Sequence, residues 1–232
     1  MDSCEYAECY IAFLDMLGFK QLVYKSLCND INKIFKTFNK KPIAEAYCGN
    51  KNIVSKNTTD ALKMKVMSDS ICLFIETKVP DALLCIIMSC MQMQFDLLKC
   101  ATPILLRGAI IRGEIYGEKD VTFGPGLSNA YLMEENNAKY PRIILTREML
   151  SNTFCDDSER ENILYSTIYK DFDAFYAVNY FGLISTADKA LYNNILSTVN
   201  HVLDTTTDNS IREKYLYFEQ KLRERVKWTK EG

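Results

Sequence analysis

Residues 9–23 read CYIAFLDMLGFKQLV, and the rest of the fold is read outward from them. The apolar run of residues 10–14 is short and rich in β-formers, so it predicts a buried strand. It stops at one acid, Asp15. Gly18 permits a tight turn, and Leu17, Gln21, Leu22 and Lys25 then fall at helical spacing with the leucines on the apolar side. Asp15 is therefore expected at the carboxyl end of a core strand, beside a helix amino-terminus. A lone carboxylate there has two uses, capping the helix or holding a cation above a phosphate. The helix end offers free N–H groups to an anion.

The helical pattern predicts one long helix over residues 18–38, ended by Lys40-Lys41-Pro42. Residues 46–59 are polar and read as a loop. Residues 62–75, LKMKVMSDSICLFI, alternate around a polar Ser68-Asp69-Ser70 and predict a hairpin with Asp69 in its turn. Pro80 opens a helix over residues 81–98; it is apolar all round, which favours core over a dimer surface. Residues 103–116 predict one or two strands carrying Arg107 and Arg112, each followed by glycine. Residues 118–126 read as a turn-rich loop, 127–136 as a helix, 143–145 as a strand and 147–151 as a short helix. Acidic residues 156–161 suggest a solvated loop. Residues 163–181 suggest edge strands with Asp171 and Asp173 between them, and 186–203 and 210–227 are amphipathic helices. The expected class is α+β, a largely antiparallel sheet with helices packed on it.

The chain of 232 residues, 48% hydrophobic, can bury a sizeable core. Its formal net charge of −2 gives no basic face for nucleic acid. Nine cysteines without a C-x-x-C pair, and a single histidine (His201), argue for free thiols and against zinc. The opening MDSCEYAECY has neither the basic nor the apolar region of a signal peptide. The longest apolar stretch, residues 82–93, is too short to span a bilayer. A cytoplasmic protein with no membrane or nucleic-acid partner is expected.

Asp15 and Asp69 stand out as isolated acids ending apolar strands. If the first strand lies beside the hairpin, both face one end of the sheet, where two carboxylates can hold divalent ions against a triphosphate. Magnesium and manganese prefer such oxygen ligands. The bland alternative is a cap and a turn residue.

The FLDMLGF stretch resembles the F-x-D-I-x-G-F motif of class III nucleotidyl cyclases, and KVMSDS is similar to their K-x-x-G-D motif. RGAIIRGEIY, FGPGLSNAYLMEE and YPRIIL resemble the remaining blocks, so the likeness spans residues 10–149. The version in this chain is most similar to the bacterial pyrimidine cyclases of the Pycsar antiphage systems. The resemblance implies the ferredoxin-like cyclase fold, a catalytic domain over residues 1–181 and a C-terminal helical extension over 182–232. It implies cyclisation of CTP or UTP to a 3′,5′-cyclic messenger that activates a separate effector, with two Mg²⁺ or Mn²⁺ per site and a homodimer whose sites lie at the interface. Asp15 and Asp69 would be metal ligands, with the carbonyl of Met16. The Leu17, Gly18 and Phe19 backbone would meet the phosphates, and Lys65 would read the base.

The family's helix carries an asparagine and, four residues later, an arginine. Aligned on Gly124, those places hold Ser128 and Leu132; aligned from Asn129, the arginine place holds Met133. Ser128 and Asn129 are thus the ribose-side candidates. Arg107, Arg112 and Arg142 are the candidates to replace the missing transition-state cation. The acid that pairs with adenine is also missing, since Val121 stands there and Asp120 is one residue off. An adenylate or guanylate cyclase, or a non-catalytic nucleotide-binding domain of the same fold, are the other readings.

Overall fold

The computed structural model describes residues 5–38, 54–118, 121–150, 158–186 and 189–226. The first strand, β1 (Ala7–Met16), is buried on both faces, which explains its unbroken apolar run. Ile11 and Phe13 enter a small cluster on one side of the sheet, and Ala12, Leu14 and Met16 enter the main core on the other. The hairpin predicted from residues 62–75 forms as β2 (Lys63–Met67) and β3 (Ser70–Glu76). Its turn is Ser68-Asp69, with Ser68 left-handed at φ 58°.

The long helix expected over residues 18–38 is two helices, α1 (Phe19–Lys25) and α2 (Cys28–Thr37). Ser26 and Leu27 are extended between them. Val23 and Leu27, which continue the helical spacing of apolar residues across this point, are exposed, so no core contact holds that register through the break. Residues 40–53 lie outside the described residues. The predicted loop of residues 46–59 ends in a short helix, α3 (Lys56–Ala61), capped by Ser55 Oγ, which accepts from Thr58 N at 3.2 Å.

Helix α4 (Ala82–Leu98) is core, with 14 of its 17 residues buried. Strand β4 (Leu106–Glu118) is continuous, and the loop after it carries a short strand, β5 (Val121–Phe123), folded back on β4. Helix α5 (Pro125–Asn137), β6 (Ile143–Leu145) and a 3₁₀ turn (Arg147–Met149) follow. The acidic stretch expected as a loop is helical from residue 158, within α6 (Ser158–Ser166). Strands β7 (Ile168–Lys170) and β8 (Tyr176–Val178) flank Asp171 and Asp173 as expected. Helices α7 (Phe181–Thr186), α8 (Lys189–Thr205) and α9 (Asn209–Arg225) complete the described residues. Ile195, Val199, Phe218 and Leu222 insert α8 and α9 into the main core.

The sheet order is β2-β3-β1-β4-β6-β8-β7, with β5 paired to β4. Every described pairing is antiparallel except β4 with β6. This is the α+β architecture expected, a mostly antiparallel sheet with helices packed on it. Helix α5 lies close on its face because Gly113 and Gly126 meet there. A Cβ on Gly113 would stand 2.9 Å from the Gly126 Cα.

Candidate active site

Register brings the two acids together. Asp15 is paired with Ser70 on β3 and with Arg107 on β4, and Met16 N donates to the Asp69 carbonyl at 3.0 Å. Both acids are half-buried at one end of the sheet. Lys65 pairs with Cys72, and Cys72 shares the α5-side cluster with Phe13. Lys65 therefore stands on the face that carries Asp15, because paired residues share a face.

After Met16 the chain turns through Leu17, whose N–H is held by the Leu105 carbonyl at 2.9 Å. Gly18, at φ 78°, caps α1. That left-handed conformation strains any residue with a Cβ. Phe19 is buried against Phe35, ring centroids 5.7 Å apart, and pins the turn.

Arg107 Nε donates to Asp15 Oδ2 at 2.9 Å and lies 2.8 Å from Glu134 Oε1. The Nε–H is directed at Asp15, so the contact with Glu134 is of charge only and Oε1 is left without a donor. Glu134 is 2% exposed. Burial lifts its carboxyl to about 7, against the opposing pull of the Arg107 charge; Asp15 nearby lifts it further. Sequence reasoning passed over Glu134. The available signal was the stripe Gly126, Ala130, Glu134, Ala138, small buried residues at four-residue spacing with one acid among them.

Arg142 is placed differently. It is 1% exposed, and its Nη1 donates to Asp171 Oδ2 at 2.5 Å and to Asp173 Oδ1 at 3.0 Å. Nη2 donates to Asp173 Oδ2. Asp171 also takes the Tyr217 hydroxyl and Lys221 Nζ. Burial alone would raise its carboxyl, but Tyr217, Lys221 and Arg142 outweigh it and hold it below the usual carboxylate range. Arg112 is out on the surface with Glu8. Ser128 and Asn129 are exposed on α5, away from the face that Ala130 and Glu134 turn inward, so one chain does not bring them to its own Asp15.

Among the described residues no group of three or more His, Cys, Asp or Glu gathers for a metal. The donors at the sheet end are the Asp15 and Asp69 carboxylates and the Met16 carbonyl, an all-oxygen set that fits Mg²⁺ or Mn²⁺, each completing its shell with water and phosphate oxygens. Thiols do not compete. Burial raises Cys9 to about 11 and Cys72 to about 12, keeping both protonated. Among the described residues no helix is long and apolar enough to cross a membrane.

No protein-family model and no curated protein matches the chain. Among solved structures, the chain is similar to the catalytic core of a rhodopsin-guanylyl cyclase with converted specificity, in complex with ATPαS. The TM-score is 0.51 at 15% identity, over 77% of this chain and 98% of that one. The chain has the class III cyclase fold. A lower likeness, TM-score 0.42 at 16% identity over 75% of this chain and 95% of the other, is to an adenylate/guanylate cyclase/hydrolase from Silicibacter pomeroyi; the fold assignment rests on the first.

Proposed function

We propose that the protein is a nucleotide cyclase of the class III family, converting CTP or UTP to the 3′,5′-cyclic nucleotide and pyrophosphate. The observation that carries this is the sheet register, which sets Asp15, at the end of β1, against Asp69 in the adjoining β2–β3 turn, beside the Gly18 turn. The reaction needs no external nucleophile. The ribose 3′-oxygen forms a bond to the α-phosphorus, the bond to the pyrophosphate oxygen breaks, and the hydroxyl proton leaves to solvent. Asp15, Asp69 and the Met16 carbonyl would hold two Mg²⁺ or Mn²⁺ ions, which supply Lewis acidity to the hydroxyl and to the departing pyrophosphate. The chain's own residues position. The backbone of Leu17 to Phe19 faces the phosphates, and Lys65, on the Asp15 face, meets the base.

Arg107 is the cation for the α-phosphate oxygens, in place of the arginine absent from α5. Its guanidinium already stands at Asp15, whereas that of Arg142 is committed to Asp171 and Asp173. A pyrimidine suits the chain because Val121 stands where a purine-reading acid is expected.

The functional unit is a homodimer. Tyr6, Val121, Phe123, Tyr131 and Leu132 are exposed on β1's approach, β5 and α5, an apolar set of the kind that partners cover. Ser128 and Asn129 on the exposed side of α5 serve the partner's ribose. By resemblance the product is a second messenger of antiphage defence, read by a separate effector.

The test is incubation of the purified protein with each of the four nucleoside triphosphates and Mn²⁺, with Asp69→Ala beside it. Cyclic CMP or cyclic UMP from the wild type alone is expected. No cyclic product from any nucleotide sinks the cyclase reading, a purine product sinks the base assignment, and a product that survives Asp69→Ala sinks the metal assignment.

A further inference from the structure

The C-terminal helices do more than extend the core. An open cavity of about 600 Å³ lies between the Leu17-Gly18 turn, the exposed side of α1 and the corner joining α8 to α9. That is within the range of small-molecule sites, about 300–1,000 Å³. Lys25, His201 and Lys214 line the cavity, with Gln21 beside them. Among the described residues neither Lys25 nor Lys214 is drawn into an ion pair. The acids close by are already spent. Asp208 Oδ1 accepts from Ser210 N at 2.7 Å and Ile211 N at 3.2 Å, capping α9, and Glu213 is paired with Lys139. Two lysines against the one lining carboxylate, Asp208, leave the cavity with a net positive charge.

Its place says which anion. Leu17 is two residues beyond Asp15, at most about 7 Å of chain. Lys214 is near enough to the Arg107–Glu134 contact that its charge draws the Glu134 carboxyl down, against burial and the neighbouring acids. A group bound at Asp15 and extended past the Gly18 turn runs into this cavity. We propose that the cavity seats the phosphate chain of the substrate nucleotide, with Lys214 and Lys25 as its cations, so that α8 and α9 complete the site within one chain. This rests on the cyclase reading for the identity of the nucleotide.

Inorganic tripolyphosphate is the probe, titrated calorimetrically into the full-length protein. The wild type binds it, and a nucleoside triphosphate displaces it. Lys214→Met and Lys25→Met each weaken it about tenfold, as loss of one charge-assisted contact does, and raise KM for the nucleotide by a similar factor with kcat changed less. Both lysines lie outside the buried core, so unchanged melting curves are expected to show that the variants fold. Equal tripolyphosphate affinity in wild type and both variants overturns the inference, as does tripolyphosphate that the nucleotide fails to displace. Failure here with cyclic product intact leaves the cyclase reading standing. Lysine-dependent, nucleotide-displaced binding without any cyclic product supports the phosphate seat and sinks the cyclase reading instead.

Discussion

Arg107, on β4, and Arg142, just before β6, stand side by side at the same end of the sheet, where Gly108 N donates to the Arg142 carbonyl at 3.0 Å. Each faces two carboxylates, and there the likeness ends. Arg142 is buried and meets Asp171 and Asp173 through three hydrogen bonds. Phe172 and Tyr217 lie 5.1 and 5.7 Å from its guanidinium, and Tyr217 stacks on Tyr140 at 4.5 Å. Arg107 has a side chain 23% exposed, gives its Nε–H to Asp15 and leaves Glu134 Oε1 without a donor. A buried network whose carboxylates all have donors specifies structure, even with Arg142 Nε itself lacking an acceptor. An under-satisfied one that opens to solvent is a place for something else to bind.

The largest effect separating the two is on stability. Arg142→Met takes one cation from buried Asp171, which keeps Tyr217 and Lys221, and both donors from Asp173. Breaking a buried pair from one side costs about 3–5 kcal/mol, and those remaining partners set the loss at the lower end. Arg107→Met costs about 1 kcal/mol at pH 6, because Asp15 still meets water and Glu134 takes up a proton. Urea denaturation of the two variants side by side measures this. Equal losses would erase the distinction.

The same pair is expected to invert in activity. Arg107→Met lowers kcat by roughly 10²–10³, the usual loss for one preorganised charge-stabilising group. Arg142→Met, assayed below its melting temperature, keeps kcat within a few-fold. A large kcat loss confined to Arg142→Met would return the catalytic cation to the buried network.

Glu134 sharpens the contrast through pH. An acid whose pKa rises on folding binds more protons folded than unfolded between the two values. Its contribution is therefore present below the unfolded pKa and lost as pH rises through the folded one. With the carboxyl lifted from 4.5 to about 7, the window runs from about 4.5 to 7. Stability of metal-free Glu134→Gln relative to wild type should rise across it by up to roughly 3 kcal/mol, read as denaturation midpoints at pH 5 and pH 8. A flat difference would mean that Arg107 keeps Glu134 ionised throughout. Asp171, held low by its partners, gives wild type the opposite trend in acid.

Which parts of this were legible in the sequence follows from range. Asp15 and Asp69 were readable because each is an isolated acid ending an apolar run, a local pattern, and β1, the hairpin, α4 and the C-terminal helices were readable for the same reason. The break at Ser26-Leu27 was not, because helical spacing continues through it and only missing core contacts end the helix. Glu134 was hidden because its meaning comes from residues 27 and 119 positions away in the chain. The two arginines looked alike, each beside an apolar strand, since nothing local announces that Asp171, Asp173 and Tyr217 close over one of them.

The smallest expected effect belongs to a third arginine, which tests whether register rather than residue type decides. Arg112 is on the same strand as Arg107, followed likewise by glycine, and pairs across to Tyr10 rather than to Asp15. Five residues along a strand is an odd number, so its side chain leaves by the opposite face. Its contact with Glu8 at 2.7 Å is half in water, where salt and side-chain entropy consume most of the attraction. Arg112→Met should leave the melting temperature, its salt dependence and kcat unchanged. A loss of activity there would mean that the cation sought at Arg107 reaches the nucleotide from the other side of the sheet.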